Sequence, residues 1–82
     1  MVYFVRSKKV IFTTHALEQI KRRGLSESWV VDIIKNHHTA LPKEVDNTQE
    51  FRQKRSGNWY YAVVEHKKSI VLVLTAGESG KP

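Results

Sequence analysis

The sequence predicts an α+β fold in which a short N-terminal strand and a two-helix hairpin precede an antiparallel sheet of three or four strands (β-α-α-β-β-β). Two helix-start signals with apolar side chains at helical spacing occupy residues 13–36. Residues 49–75 are rich in aromatic and β-branched side chains and are interrupted by turn residues. We therefore expect one domain over residues 1–76, with both helices on one face of the sheet, and a flexible tail over residues 77–82.

The first strand and the first helix are predicted from neighbouring signals. Residues 10–12 have the composition of a short strand, and residues 3–6 either belong to it or form a separate segment. A threonine at position 13 or 14 is a suitable N-cap, and Gly24 tolerates the left-handed conformation that often ends a helix. A helix over about residues 14–23 would carry three cations in its last turn, Lys21, Arg22 and Arg23, where the helix dipole favours them.

The second helix is predicted over about residues 27–36. Ser26 is a suitable N-cap, and the apolar residues that follow recur at helical spacing, namely Val30, Val31, Ile33 and Ile34. Pro42 cannot donate a hydrogen bond to a sheet, so residues 43–50 form either a loop or an edge strand.

The remaining strands are predicted over residues 49–55, 58–66 and 69–75. Because side chains alternate along a strand, Trp59, Tyr61 and Val63 should share one face with Ile70, Leu72 and Leu74. Tyr60, Ala62, Val64 and His66 should share the other face with Val71, Val73 and Thr75. The first set is the more apolar, so we expect it to face the helices. A three-residue loop, Ser56-Gly57-Asn58, would then bury Phe51 and place Arg52 and Lys54 on the polar face beside Tyr60 and Thr75.

The charge of the chain favours a polyanionic partner. The net charge is +6 and the sequence pI is about 9.8, and the cations concentrate in residues 1–25 and 51–68. Ordinary solubilising charge is an equally good explanation of basicity alone. The chain has no cysteine and no apolar run near the roughly 20 residues that span a bilayer, so we expect a cytoplasmic protein without a membrane partner.

His15 is the sharpest candidate for chemistry because a helix N-terminus disfavours its cationic form and leaves the imidazole available as a base. A histidine that merely packs over the sheet edge is the simpler alternative. The predicted polar face, with Arg52, Lys54, Tyr60 and Thr75, offers cations for a phosphate and a phenol that stacks or relays a proton. The alternative there is a solvated sheet surface. The spacing of His37, His38 and His66 fits no standard metal site, so we expect no metal.

Two segments carry a resemblance to a known family. The run Phe12-Thr13-Thr14-His15-Ala16, together with Arg23-Gly24-Leu25-Ser26, resembles the signature F-[ST]-x-H-A-x-x-R-x-x-x-R-G-[IL]-[ST] of small bacterial and phage proteins of largely unknown function. That family is grouped with the RelE-like and barnase-like ribonuclease toxins. Their fold places two N-terminal helices on an antiparallel sheet, and its open face cleaves RNA. The similarity covers about residues 8–76.

The resemblance implies a metal-independent endoribonuclease without a cofactor, whose partners are RNA, with or without the ribosome, and an acidic antitoxin protein. By resemblance His15, Arg52 and Thr75 match site positions, and the predicted register adds Tyr60 as a fourth catalytic candidate. The basic residues expected to hold RNA are Lys21, Arg22, Arg23, Lys54 and Arg55. The sequence departs from the family pattern at Gln19 and at Ala76-Gly77. A non-catalytic nucleic-acid-binding or protein-binding module, such as a phage or mobile-element inhibitor, therefore stays open as a second hypothesis.

Overall fold

The computed structural model describes residues 2–43 and 46–80. The elements follow in the order β1 (Tyr3–Val5), β2 (Lys8–Phe12), α1 (Thr14–Arg22), α2 (Glu27–Lys35), β3 (Thr39–Pro42), β4 (Thr48–Arg55), β5 (Asn58–His66) and β6 (Ile70–Glu78). The predicted α+β class is confirmed. The predicted number of strands is wrong, because six strands form one sheet in the order β1-β2-β6-β5-β4-β3.

The additional strands lie at the two edges of the sheet. At one edge, β1 forms an antiparallel hairpin with β2. At the other, the four residues of β3 pair with β4 and end at Pro42, which is tolerated there because an edge strand leaves one side unpaired. In the centre, β2 runs parallel to β6, so the sheet is mixed rather than purely antiparallel. Strand β6 continues to Glu78, beyond the predicted end of the sheet, while Lys81 and Pro82 lie outside the described residues.

Both helices begin at the predicted caps. The Thr13 hydroxyl accepts a hydrogen bond from the Ala16 N–H at 3.0 Å, and the Ser26 hydroxyl accepts one from the Trp29 N–H at 3.1 Å. Gly24 has a φ of 72°, the left-handed conformation expected just after a helix. The positions of the two helices could therefore be predicted to within a residue from local chemistry.

The core lies between the helices and one face of the sheet. Helix α1 packs along β6, and α2 packs across β1, β4 and β5. The sheet residues buried against the helices are mostly small or β-branched, and include Val10, Phe51, Ala62, Val64, Val71, Val73 and Ala76. The predicted grouping of side chains by face on β5 and on β6 up to Val73 is confirmed, but the choice of the buried face is wrong. Trp59, Tyr61 and Val63 lie on the side away from the helices, which we call the open face, and are only half-buried.

The turn between β4 and β5 has two residues, not the predicted three. Arg55 pairs with Asn58, and the turn residues Ser56 and Gly57 have φ values of 54° and 83°. Positive φ at both turn positions is the type I′ geometry that matches the twist of a hairpin. With this register Phe51 lies opposite Ala62, on the buried face.

The burial of Phe51 is therefore confirmed, although both premises that led to it are wrong. The loop is one residue shorter than predicted, and the opposite face of β5 is buried. Either difference alone would turn Phe51 outward, but together they leave it buried. Phe51 is 6% exposed, whereas Arg52 and Lys54 alternate with it onto the open face, as predicted. The errors do not cancel for Tyr60, which lies on the helix side and not beside Arg52.

A β-bulge changes the direction of side chains in β6. Val64 pairs with Val73 but Val63 pairs with Thr75, so Leu74 is an extra residue in this strand. Beyond the bulge, Ala76 lies on the buried face opposite Ala62, and Gly77 lies opposite Tyr61. The bulge thus resets the alternation of β6 just before the strand reaches the end of α1.

Two phenylalanine substitutions test which face is covered. Phe51→Ala removes a buried ring and should lower the free energy of unfolding by about 3–5 kcal/mol. Phe4→Ala is the matched control, because Phe4 is 52% exposed and pairs with Lys9 on the open side; its effect should stay within about 0.5 kcal/mol. Urea unfolding followed by circular dichroism measures both. Equal losses in the two variants would contradict the assignment of the buried face.

Candidate nucleic-acid interface

The four residues predicted to be catalytic do not form one site. Arg52 lies on the open face of β4, whereas Tyr60 lies on the opposite face, with its ring centroid 4.7 Å from that of Trp29 in α2. The placement of Tyr60 beside Arg52 is therefore wrong. The reason is the face of β5: Ala62 and Val64, not Tyr61 and Val63, fit beneath the helices, and Tyr60 shares their side.

The other two predicted catalytic residues lie on or against α1. His15 is the second residue of the helix and is exposed. Thr75 donates its hydroxyl hydrogen to the side-chain oxygen of Gln19, so it ties β6 to the helix. Because of the bulge it pairs with Val63, so it lies on the open face with Arg52, as predicted, and not on the face of Tyr60.

The predicted RNA-binding cations separate into three groups. Lys21 and Arg22 are exposed in the last turn of α1. Arg55, at the end of β4, places its guanidinium 4.8 Å from the ring centroid of Trp29, and its Nη2 lies 3.8 Å from Asp32 Oδ2. Arg23 and Lys54 belong to a different assembly, which the structure forms around Tyr61.

Arg23 reaches from the end of α1 to the open face of the sheet. Its Nη1 donates hydrogen bonds to the Ala76 carbonyl oxygen at 2.7 Å and to the Tyr61 hydroxyl at 3.1 Å. The guanidinium passes over Gly77, where a Cβ would overlap Arg23 Nη1 and press on the Tyr61 ring. A Cβ at position 77 would displace the Arg23 guanidinium, which is the end of a flexible side chain, so glycine at this position permits the close approach.

Arg52 lies on the other side of Tyr61, as its cross-strand partner in β4. Its Nε donates to Glu50 Oε2 at 2.5 Å, and Lys43 Nζ lies 2.7 Å from Glu50 Oε1. The ion pair with Glu50 fixes one edge of the guanidinium. Tyr61 therefore lies between Arg23, which donates to its hydroxyl, and its cross-strand partner Arg52.

Trp59 and Lys54 extend the same surface towards the β4–β5 turn. They are cross-strand partners on the open face, and Trp59 makes an edge contact with His38 at a centroid distance of 6.0 Å. We call the set on this face the open-face cluster: Arg23, Arg52, Lys54, Trp59 and Tyr61. The cluster combines two aromatic rings, which lie two residues apart on β5, with three cations. Arg23 lies on one side of the rings, and Arg52 and Lys54 lie on the other.

The electrostatics of the cluster depend on Glu50, which is 6% exposed. Burial raises the pKa of this carboxyl group, but the hydrogen bonds from Lys43 and Arg52 and their positive charges outweigh burial and hold it below its ordinary value of 4.5. Glu50 therefore stays ionised and keeps Arg52 in place on the open face.

Sequence reasoning missed the roles of Tyr61 and Arg23. The strand pattern predicts Tyr61 in the core, and the helix pattern gives Arg23 the same role as Lys21 and Arg22. Gly77 carried a usable signal, because a glycine within a strand often marks a site where another group approaches the backbone. The partner that approaches it could not be read from the sequence.

The described residues offer no metal centre and no membrane-spanning helix. Within residues 2–43 and 46–80, no group of three or more His, Cys, Asp or Glu side chains is arranged to hold a metal ion. In the same part of the chain, neither helix has the length and apolar character needed to cross a bilayer.

Comparison of the chain with family models, with curated proteins and with solved structures gives no match.

The acid stability of the fold should depend on Glu50. Because the pKa of Glu50 is lower in the folded than in the unfolded chain, its contribution is present above pH 4.5 and is lost as the pH falls through the folded value. Glu50→Gln should lower stability at pH 7 and flatten the loss of stability between pH 5 and the acid limit, as measured by urea midpoints at each pH. Glu18→Gln, at an exposed position of α1, controls for net charge. If Glu50→Gln loses stability between pH 5 and the acid limit as steeply as the wild type does, the attribution of this loss to Glu50 is contradicted.

Proposed function

We propose that this protein binds single-stranded RNA on the open face of its sheet, with the open-face cluster at the centre of the contact. The observation that carries the proposal is the placement of Tyr61 between Arg23 and Arg52, next to Trp59. Proteins that bind single strands combine aromatic side chains, on which bases stack, with cations that follow the phosphate backbone.

The spacing of the aromatic residues supports stacking of successive bases. Trp59 and Tyr61 lie two residues apart on β5, and so roughly 7 Å apart along the strand. Neither is fully buried, so each offers ring surface to a ligand. Stacking on such rings contributes about 1–3 kcal/mol per base.

The cations of the cluster suit phosphate groups. Arg23 and Arg52 are planar donors with several N–H groups each, and Lys54 is exposed beside them. The net charge of +6 adds long-range attraction for a polyanion. RNA rather than DNA is chosen because of the resemblance to the ribonuclease toxins.

A metal-independent ribonuclease is the second candidate, favoured by the hydrogen bond from Arg23 to the Tyr61 hydroxyl. In such a reaction the RNA 2′-oxygen attacks the adjacent phosphorus, its proton passes to a base, and the 5′-oxygen leaves with a proton. Tyr61 would take part in proton transfer, and Arg23 and Arg52 would stabilise the charge on the phosphorane. This assignment replaces Tyr60 by Tyr61 and does not use His15 or Thr75. An acidic antitoxin partner belongs to this candidate.

RNA binding is tested by two lysine substitutions that remove the same charge. Lys54→Gln should reduce the slope of log affinity against log salt by about 0.7, the value for one phosphate contact on a single strand. Lys68→Gln is the control, because Lys68 is exposed in the β5–β6 turn, at the other end of β5. Fluorescence anisotropy with a labelled oligouridine at several salt concentrations measures both. Binding that is independent of salt, or equal slopes in the two variants, would contradict the proposal.

Cleavage is tested separately with Tyr61→Phe, which keeps the ring and removes the hydroxyl. If the protein is a ribonuclease, RNA cleavage in EDTA should fall by about 10²–10⁴-fold while affinity for RNA changes little. Gly77→Ala, which displaces the Arg23 guanidinium, should lower cleavage as well. If the wild-type protein binds RNA but does not cleave it, the second candidate fails and the first remains.

A further inference from the structure

A second basic surface lies on the helix side of the sheet, apart from the open-face cluster. It is a cavity of about 590 Å³ between the β1–β2 turn, the end of α2 and the strands β4, β5 and β6. This volume falls within the usual range of small-molecule sites, about 300–1,000 Å³. His66, which lines it, is five residues from Tyr61, or roughly 17 Å along β5, and lies on the opposite face.

Positive side chains line this cavity, and its described lining residues include no carboxylate. Arg6, Lys8 and Lys35 contribute to its walls, and none of the three forms an ion pair within residues 2–43 and 46–80. Burial and the positive charge of Lys8 both lower the pKa of His66. The cavity therefore has a positive potential that no described acidic group in its lining neutralises.

The floor of the cavity is aromatic and apolar. The ring of Phe51 lies between two imidazoles, with centroids 4.6 Å from His37 and 6.2 Å from His66, and Ile34 and Val71 complete the apolar surface. His66 Nε2 donates to the Gln49 side-chain oxygen at 2.9 Å, which holds this ring in place beside Phe51. A flat ring is the ligand shape that such a floor accommodates.

The turn between β1 and β2 brings Arg6 to the wall of the cavity. Arg6 has a φ of 57° in this two-residue turn, and positive φ is uncommon for residues other than glycine and costs of order 1–3 kcal/mol. Ser56, the first residue of the two-residue β4–β5 turn, has a similar φ of 54°. The backbone conformation of Arg6 is therefore a feature of the tight turn, and its contribution to the site rests on its place in the cavity lining.

We propose that this cavity binds a small aromatic phosphomonoester, with its ring beside the His37 and His66 imidazoles on the aromatic floor and its phosphate among Arg6, Lys8 and Lys35. The phosphate dianion matches a group of cations that lacks a carboxylate, and the ring matches the aromatic floor. A mononucleotide and a simple aryl phosphate share this chemistry. The proposal does not depend on RNA binding at the open face.

The experiment is an NMR titration of the full chain with phenyl phosphate and, separately, with adenosine 5′-monophosphate. At least one should give saturable shifts of the His37 and His66 imidazole resonances, and the bound dianion should raise the pKa of His66. If both bind, the site accepts aryl phosphates in general; if only adenosine monophosphate binds, it selects a nucleotide. Inorganic phosphate, which lacks the ring, should bind at least about tenfold more weakly, a difference of about 1.4 kcal/mol.

Arg6→Gly separates a binding role from a structural one. Glycine relieves the positive φ, so the melting temperature should stay the same or rise, whereas affinity for the bound phosphomonoester should fall by about tenfold. Lys8→Gln should weaken binding in the same way, and Lys68→Gln should leave it unchanged. The proposal is overturned if neither aromatic ligand gives saturable shifts, if inorganic phosphate binds equally well, or if Arg6→Gly binds as tightly as the wild type.

Discussion

The parallel pairing of β2 with β6 is the constraint on which the rest of the structure depends. It joins the two ends of the chain in the middle of the sheet, and it stops where Phe12 pairs with Val73. Strand β6 continues for five more residues, so its edge carbonyls need other partners. Helix α1 follows β2 directly and runs beside this free edge, where Gln19 contacts Thr75 and Arg23 contacts the Ala76 carbonyl. The position of Arg23 on the open face is thus a consequence of strand lengths.

The choice of the buried face shows what hydrophobicity alone cannot decide. The two sides of β5 and β6 are both apolar, and the side with the larger residues was predicted to be the core. The helices contribute large residues of their own, including Ile20, Ile33 and Ile34, and a close-packed layer leaves room only for small partners on the sheet. Ala62, Val64, Val73 and Ala76 provide that room. The large helix residues and the small sheet residues are all present in the sequence. Their complementary volumes predict the buried face only when the positions of helices and strands are known together.

The features that could be predicted are those set by neighbours in the chain. The helix caps at Thr13 and Ser26 depend on a few adjacent residues. So does the alternation along β4 that puts Arg52 and Phe51 on opposite faces of the sheet. The hydrogen bond between Arg23 and Tyr61 joins residues 38 positions apart in the chain. The bulge at Leu74 depends on a one-residue insertion in β6 relative to β5. Tyr60 was assigned to the candidate site in place of Tyr61 for this reason: the side of the sheet was decided by long-range packing.

Three acidic side chains are engaged by contacts within the fold. Among the described residues, Glu50 is held by Lys43 and Arg52, Asp32 lies near Arg55, and Glu65 pairs with Lys67. Hydrogen bonds from Gln53 and Asn36, together with nearby cations, also lower the pKa of Asp32, so this carboxylate too is committed within the fold. These three carboxylates therefore act at the structural joints between α2, β3, β4 and the β5–β6 turn, and none of the three pairs with Arg23 or Arg6. Arg23 crosses to the open face and Arg6 meets the cavity, and at both places the cation adjoins an aromatic ring.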